Sequence, residues 1–203
     1  LVSDLGGRAG MAMKADEFGV ELDDPSVAKL SDELKQLESE GWLFESADAS
    51  LELRMRRATG WEQEFFEVEE YRVSSSHREG AATTGGALEV TTEATVKVWV
   101  GPEGTATRHV HTAEGNGPVN AIDTALRAAV SQAYPNVDRI HLTDYKVRIL
   151  DGATATGAVT RVLIDATDGE RSWTTIGVSS NIIEASWRAL EESLIYGLLH
   201  SGV

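Results

Sequence analysis

The sequence of 203 residues predicts an α+β protein, with a helical subdomain over residues 1–60 followed by two pseudo-symmetric βββα units over 61–203. Two observations predict this fold. Apolar residues recur at helical spacing through the first region. Further on, Glu70-Tyr-Arg-Val73 reappears as Asp144-Tyr-Lys-Val147, and each copy opens the apolar/polar alternation typical of strands. Since one such unit cannot bury its apolar faces alone, we expect the units to pack on each other or on a partner chain.

Three helices are predicted in the first region. The first ends at Gly19, a typical C-cap residue. The second begins after Asp23, which is a good N-cap, has Pro25 in its first turn, and stops at Gly41. The third covers residues 47–58, with apolar residues along one stripe and charged residues along the other.

The first βββα unit is predicted over about residues 65–135. Its strands begin at Tyr71, in the run 93–100, and after the charged turn 102–104. The segment 74–89 is polar and rich in Gly, Ala and Thr, so we expect a mobile loop between the first two strands. A Gly-rich corner then leads into a helix over 119–133.

The second unit is predicted over about residues 138–203. It repeats the order with strands at Tyr145 and 158–164, a charged turn at 168–170, and a Ser/Asn corner. A helix follows over about 181–199, with large apolar residues along one face.

Composition excludes several function classes. The formal net charge of −15 argues against nucleic acid and anionic membranes as partners, because both select clustered Lys and Arg. The chain has no cysteine, which excludes disulfides and thiolate chemistry. No apolar run approaches the length of a membrane span. The chain opens at Leu1 in mid-pattern and without Met, so we expect it to be cut from a longer one.

The two corners before the predicted helices are the first candidate binding features. Backbone N–H groups at a helix N-terminus attract a small carboxylate, and each unit has such a corner. Plain N-capping explains the Asn and Ser residues about as well. The candidate residues are Gly115, Asn116, Gly117, Pro118 and Val119 in the first unit, and Ser179, Ser180, Asn181 and Ile182 in the second.

Two further pairs are candidates for the same ligand. Asp144 offers a carboxylate for an ammonium group and Tyr145 a phenol for orientation, although a strand-start aromatic beside a solvated acid is the alternative. Gly152 and Ala153 lie in a small polar turn that would let a ligand or a second subunit approach the backbone closely. A flexible hairpin loop explains that turn equally well.

The sequence gives little support for a catalytic site or a metal site. His109 and His111 are spaced to share one face of a strand, but no third ligand is placed by the sequence, so we predict no metal site. No nucleophile has an adjacent base and no carboxylate pair stands at catalytic spacing. The chain therefore favours a small-molecule-binding and dimerising module without catalytic residues.

Several motifs in order resemble the C-terminal part of the 2-isopropylmalate synthase and (R)-citramalate synthase family, with its LeuA-type allosteric (dimerisation) domain. The helical region resembles the linker that follows the barrel in that family, through Gly6-Gly-Arg8 and Gly41–Leu53. The later motifs are Gly115–Ala121, Asp144–Gly152 and Trp173–Trp187. The residues around Ala47-Asp-Ala-Ser50 and Asp144-Tyr-Lys-Val147 are more similar to the citramalate branch.

This resemblance implies a cytoplasmic parent enzyme whose TIM barrel, absent here, condenses acetyl-CoA with a 2-oxo acid such as pyruvate, using a divalent metal. It implies no cofactor in this chain, and His109-Val-His111 is not the metal motif of that barrel. In related synthases a His after a Gly-Arg pair reaches the partner's active site. Here that position is Ala9, which departs from the pattern and puts a catalytic part for Arg8 in doubt.

The resemblance also implies a homodimer that binds the end-product amino acid, isoleucine in the citramalate branch or leucine in the isopropylmalate branch, as a feedback inhibitor. The carboxylate would meet helix N-terminal amides and the branched side chain an apolar pocket. The alternative is a dimerisation module that has lost effector binding. The sequence leaves both alternatives open.

Overall fold

A computed structural model of the chain describes residues 7–79, 88–150 and 157–202. The α+β class and the two βββα units are confirmed. The helices are α1 Arg8–Glu17, α2 Asp24–Ser39, α3 Asp48–Ala58, α4 Pro118–Val130 and α5 Ile182–His200, with short 3-10 helices at Phe44–Ser46 and Pro135–Arg139. The strands are β1 Phe66–Glu79, β2 Leu88–Val100, β3 Thr107–Gly115, β4 His141–Ile149, β5 Thr160–Thr167 and β6 Ser172–Ser179.

The helix boundaries follow the predicted signals. The side chain of Asp23 accepts a hydrogen bond from the backbone N–H of Ser26 at 2.9 Å, which caps α2 as expected. Gly19 and Gly41 follow α1 and α2 with φ of +65° and +109°, a conformation that favours glycine at a helix end.

Each unit forms one antiparallel three-stranded sheet, in the orders β1-β2-β3 and β4-β5-β6. The pseudo-symmetry extends to an irregularity in the first strand. The register shifts between Val68 and Glu70 in β1, and between Leu142 and Asp144 in β4, each time directly before the repeated tyrosine. A β-bulge therefore occupies the same place in both units.

The predicted mobile loop over 74–89 is wrong at both of its ends, residues 74–79 and 88–89. Strand β1 continues to Glu79 and β2 starts at Leu88, and Ser75 and Thr92 share a hydroxyl hydrogen bond of 3.0 Å across the two strands. Polar composition suggested a loop, but cross-strand pairing supplies the backbone hydrogen bonds that decide a strand. Residues 80–87 lie outside the described residues.

In the compact unit formed by residues 64–138, α4 packs on one face of the β1–β3 sheet. The sheet contributes Val96 and Val98, and the helix contributes Ile122 and Leu126, all of which are buried. We call this the inner face of the sheet. On the opposite, outer face Trp99, Thr95 and Thr112 are solvent-accessible.

The second sheet and the helices α1–α3 belong to the other compact unit. Helix α5 packs on its inner face, over β5 and β6. On the outer face, Ile176 and Val178 join the buried cluster of the helical region, which contains Phe44 and Leu34. The backbone N–H of Ile176 donates to Ser50 Oγ at 3.0 Å, so α3 also occupies the hydrogen-bonding edge of β6.

None of the helices in the described ranges combines the length and apolar character that crossing a membrane requires.

Candidate functional site

The corner before α5 is organised by capping. Asn181 Oδ1 accepts the backbone N–H of Ile183 at 2.9 Å, and Ser179 Oγ accepts that of Asn181 at 3.1 Å. N-capping therefore accounts for these two side chains. Ser180 and Ile182 are exposed beside them, so the first turn of α5 presents one hydroxyl and one large apolar side chain to solvent.

Tyr145 connects β4 to this corner. Its hydroxyl lies 2.7 Å from Ser186 Oγ, and Ser186 Oγ donates to the carbonyl oxygen of Ile182 at 2.6 Å. Since the single proton of Ser186 goes to Ile182, Tyr145 is the donor in the first bond. Among the described residues no further group donates to the phenol oxygen, which leaves an acceptor at the edge of the corner.

Three apolar side chains of β4 are exposed on the inner face. Tyr145, Val147 and Ile149 pair with Ile164, Val162 and Thr160 of β5, which are buried on the inner face. Cross-strand partners share a face, so this strip lies on the side that carries α5. The three side chains are between 40% and 62% exposed, and Ile182 on α5 is 46% exposed. We call Tyr145, Val147 and Ile149 the β4 strip.

The structure separates Asp144 from Tyr145. Asp144 pairs with Asp165 in the register, so it lies on the outer face, where Lys146 binds it at 2.9 Å and Asp165 at 2.8 Å. Hydrogen bonds to Asp165 and Asp144 raise the pKa of Lys146 to about 12, and the same lysine lowers the pKa of Asp144. Gly152 and Ala153 lie outside the described residues.

The corner before α4 is built differently. Gly115 is a close-approach position, since a Cβ there would lie 2.5 Å from the backbone nitrogen of Ala121. Asn120 Oδ1 accepts the backbone N–H of Asn116 at 3.1 Å. Gly117 is the N-cap residue and Pro118 begins the helix, with no side-chain cap bond, and Val119 follows in the first turn. The backbone groups of this corner and the exposed side chain of Asn116 are what it offers to a ligand.

His109 and His111 lie on the inner face of β3, opposite Val98 and Val96, with ring centroids 6.3 Å apart. Their predicted common face is confirmed. Across the described ranges, no three His, Cys, Asp or Glu side chains come together as a metal-binding group.

Sequence reasoning missed Ser186, Val147 and Ile149. Ser186 sits in a helix whose pattern identified only the apolar face. Val147 and Ile149 belong to an alternating run that predicts a buried face, and only the tertiary structure shows them exposed. The signal available in advance was the position of β4 as the first strand of its unit, because a first strand in a β-meander lies at a sheet edge.

Two βββα units, one of which presents an exposed apolar strip beside a capped helix, define an α+β domain built from a repeated unit. The chain belongs to the LeuA allosteric (dimerisation) domain family, whose model matches residues 45–198. The match begins inside the helical region, just before α3.

The relatives carry the names of two enzymes. Over 98% of its length the chain is 46% identical to an (R)-citramalate synthase of Aquifex aeolicus, of which it covers 36%. It is 45% identical over its whole length to an (R)-citramalate synthase of Streptomyces coelicolor, again covering 36%. A 2-isopropylmalate synthase of Shewanella baltica is 30% identical over 91% of the chain, which covers 31% of that protein. The chain thus spans about a third of the length of its relatives.

Proposed function

We propose that this chain is the regulatory and dimerisation part of a cytoplasmic citramalate synthase-like acyltransferase. The parent would condense acetyl-CoA with pyruvate in branched-chain amino-acid biosynthesis, with a divalent metal in a catalytic barrel outside this chain. The names of the relatives at 46% and 45% identity support the citramalate branch. We further propose that the chain binds the end-product amino acid, isoleucine before leucine, as a feedback inhibitor.

The observation that carries the effector proposal is the β4 strip beside the first turn of α5. Exposed branched and aromatic side chains on one face offer an apolar surface for a branched aliphatic group. The N-terminus of α5 offers a positive dipole end for the carboxylate, with Ser180 exposed beside it. The free acceptor of the Tyr145 hydroxyl is available for the ammonium group.

The first corner is the weaker half of the proposed site. Its helix has no side-chain cap. On the neighbouring β1, Tyr71 and Val73 stand at the positions of Tyr145 and Val147 but are only partly exposed, and the polar Ser75 stands at the position of Ile149. We therefore place the effector at the second unit. Residues 115–119 stay candidate backbone contacts.

Calorimetric titration of the chain with isoleucine, and with leucine in parallel, tests this proposal. We expect saturable binding that prefers isoleucine. Val147→Thr keeps the shape and strand propensity of the side chain but adds a hydroxyl to the strip, and should weaken binding about fivefold to tenfold. Val110→Thr, on the exposed outer face of the first sheet, is the matched control and should leave binding unchanged.

A preference for leucine would move the parent to the isopropylmalate branch. Equal loss of binding in both threonine variants would remove the effector from the β4 strip. Tyr145→Phe, compared with Tyr71→Phe at the repeated position in β1, separates the role of the phenol from that of its ring.

The second candidate function is dimerisation without effector binding. The same β4 strip favours it, because exposed contiguous apolar side chains are also typical of a protein–protein interface. Sedimentation should show a dimer, and Val147→Asp should shift it toward monomer. If millimolar isoleucine, leucine and valine leave the melting temperature unchanged while the dimer persists, the dimerisation-only function holds.

The catalytic part of the proposal is tested separately. The purified chain should not condense acetyl-CoA with pyruvate, and measurable condensation would overturn the assignment of catalysis to an absent barrel.

A further inference from the structure

A groove between α2 and α3 has a composition opposite to that of the whole chain. It encloses about 180 Å³ and is lined by Ser26, Lys29, Leu30, Glu33, Arg54, Arg57 and Ala58. Three of these seven residues are cationic and one is acidic, whereas the chain carries a formal net charge of −15. A cluster of cations in so acidic a chain points to an anionic occupant.

Arg54 is held in a fixed orientation at this groove. Its guanidinium carbon lies 4.8 Å from the ring centroid of Trp42 and 5.2 Å from that of Phe44, and these two rings stack on each other at 5.6 Å. Nη1 donates to Glu33 Oε1 at 3.1 Å. A planar fork fixed by stacking loses little entropy when it binds a further anion, which suits it to a preorganised site.

The other two cations differ in how far they are already paired. Arg57 Nη1 binds Glu192 Oε1 at 2.9 Å, which anchors α3 to α5 and leaves the remaining N–H groups of that guanidinium available. Lys29 is exposed and, in the part of the chain that the structure describes, makes no ion pair or hydrogen bond. The groove thus contains one uncompensated ammonium next to two partly paired guanidinium groups.

We propose that this groove binds a phosphoryl group, either as a free ion or on a small organic molecule. A dianion with several acceptor oxygens matches a lysine point charge and two guanidinium groups better than a single carboxylate does. The volume of about 180 Å³ exceeds several-fold the roughly 10–15 Å³ that one water requires on the same measure, so a phosphoryl group and bridging waters fit. Leu30, which is buried, and Ala58 contribute the apolar part of the lining. The site shares no residue with the proposed effector site.

The test is an amide NMR titration of the chain with pyrophosphate, inorganic phosphate and ADP at constant ionic strength. We expect saturable shifts concentrated at residues 26–33 and 54–58. Lys29→Gln should weaken the binding of pyrophosphate about tenfold, while Lys35→Gln, a lysine on the same helix outside the groove, should leave it unchanged.

Arg54→Lys keeps the charge but removes the stacked fork, so it should weaken binding in a chain that stays folded. Tighter binding of ADP than of pyrophosphate would identify an organic phosphate as the natural occupant, and equal binding would identify the free ion. Shifts that do not saturate, or equal losses in Lys29→Gln and Lys35→Gln, would reduce the effect to general counterion attraction and overturn the proposal.

Discussion

The two βββα units share strand order and bulge position, but they differ in what lies on the outer face of the sheet. In the first unit that face carries Thr95, Lys97 and Trp99 of β2, and Trp99 is exposed. In the second unit, Ile176 and Val178 of β6 are buried there beneath the helical region. One repeated fold therefore serves as a two-layer unit in one place and as the centre of three layers in the other.

The side chains on the two outer faces differ in polarity. The exposed outer face of the first sheet carries polar cross-strand pairs, such as Thr95 and Thr112, whose hydroxyl groups form a hydrogen bond of 2.9 Å. The corresponding strand pair of the second unit places Leu163 opposite Ile176. A covered face selects apolar residues because polar groups without partners are costly to bury, and an exposed face does not.

The largest expected effect concerns the close approach of α5 to the second sheet. A Cβ at Gly177 would lie 1.9 Å from the carbonyl oxygen of Ala185, so Gly177→Ala forces α5 away from β6. We expect a loss of about 4 kcal/mol or more in the free energy of unfolding. Gly117→Ala, at an extended position with open space around it, is the control. Urea unfolding measures the free energy of unfolding of both variants. If Gly177→Ala loses no more of it than Gly117→Ala, the helix adjusts freely to the added methyl group.

Removing the cover of the second sheet should have the next largest effect. Phe44 is fully buried in the cluster that contains Ile176 and Val178, and Phe44→Ala should cost about 3 to 4 kcal/mol through lost burial and the remaining cavity. Trp99→Ala removes an aromatic from the exposed face of the first sheet and should cost under about 1 kcal/mol. Similar losses by chemical unfolding would contradict the distinction between covered and exposed faces.

A smaller effect is expected at the edge of β6, where α3 of the helical region contacts the second sheet. Ser50 is fully buried and accepts the backbone N–H of Ile176. Ser50→Ala leaves that N–H without its partner and should cost about 1 to 3 kcal/mol. Thr95→Val, which removes the hydroxyl bond on the exposed face, should cost far less because water can replace it. Hydrogen exchange at Ile176 should accelerate only in the first variant.

The smallest expected effect concerns α5, where burial, reinforced by Glu192, raises the pKa of Glu191 to about 7. Arg57 on α3 and Glu184 and Trp187 on α5 also face this carboxyl. Because the folded pKa lies above the unfolded one, stability from this group is present below the unfolded pKa and is lost as pH rises through about 7.

Glu191→Gln should therefore raise the free energy of unfolding by about 1 to 2 kcal/mol at pH 8, and the gain should shrink toward pH 5. Glu103→Gln, in the exposed turn after β2, controls for the change in net charge alone. A gain that does not vary with pH would exclude titration of Glu191 as its cause.

Local patterns predicted much of this fold. Asp23, Pro25 and Gly41 delimit α2 as expected, because caps depend on the chemistry of a few neighbouring residues. The repeated tyrosine segments predicted the two units because the alternation of apolar and polar residues is a property of each strand's own sequence. The extension of β1 to Glu79 was missed, since Ser and Thr pair across strands as readily as they form loops.

The sequence by itself determined the elements, their order and their repetition. Only the tertiary structure decided which alternating faces are covered. Val147 and Ile149 have the pattern of a buried face, yet α5 lies over β5 and β6 and leaves them exposed at the edge strand. Burial depends on where a distant helix packs, and a period-2 pattern specifies which residues share a face but not what covers that face.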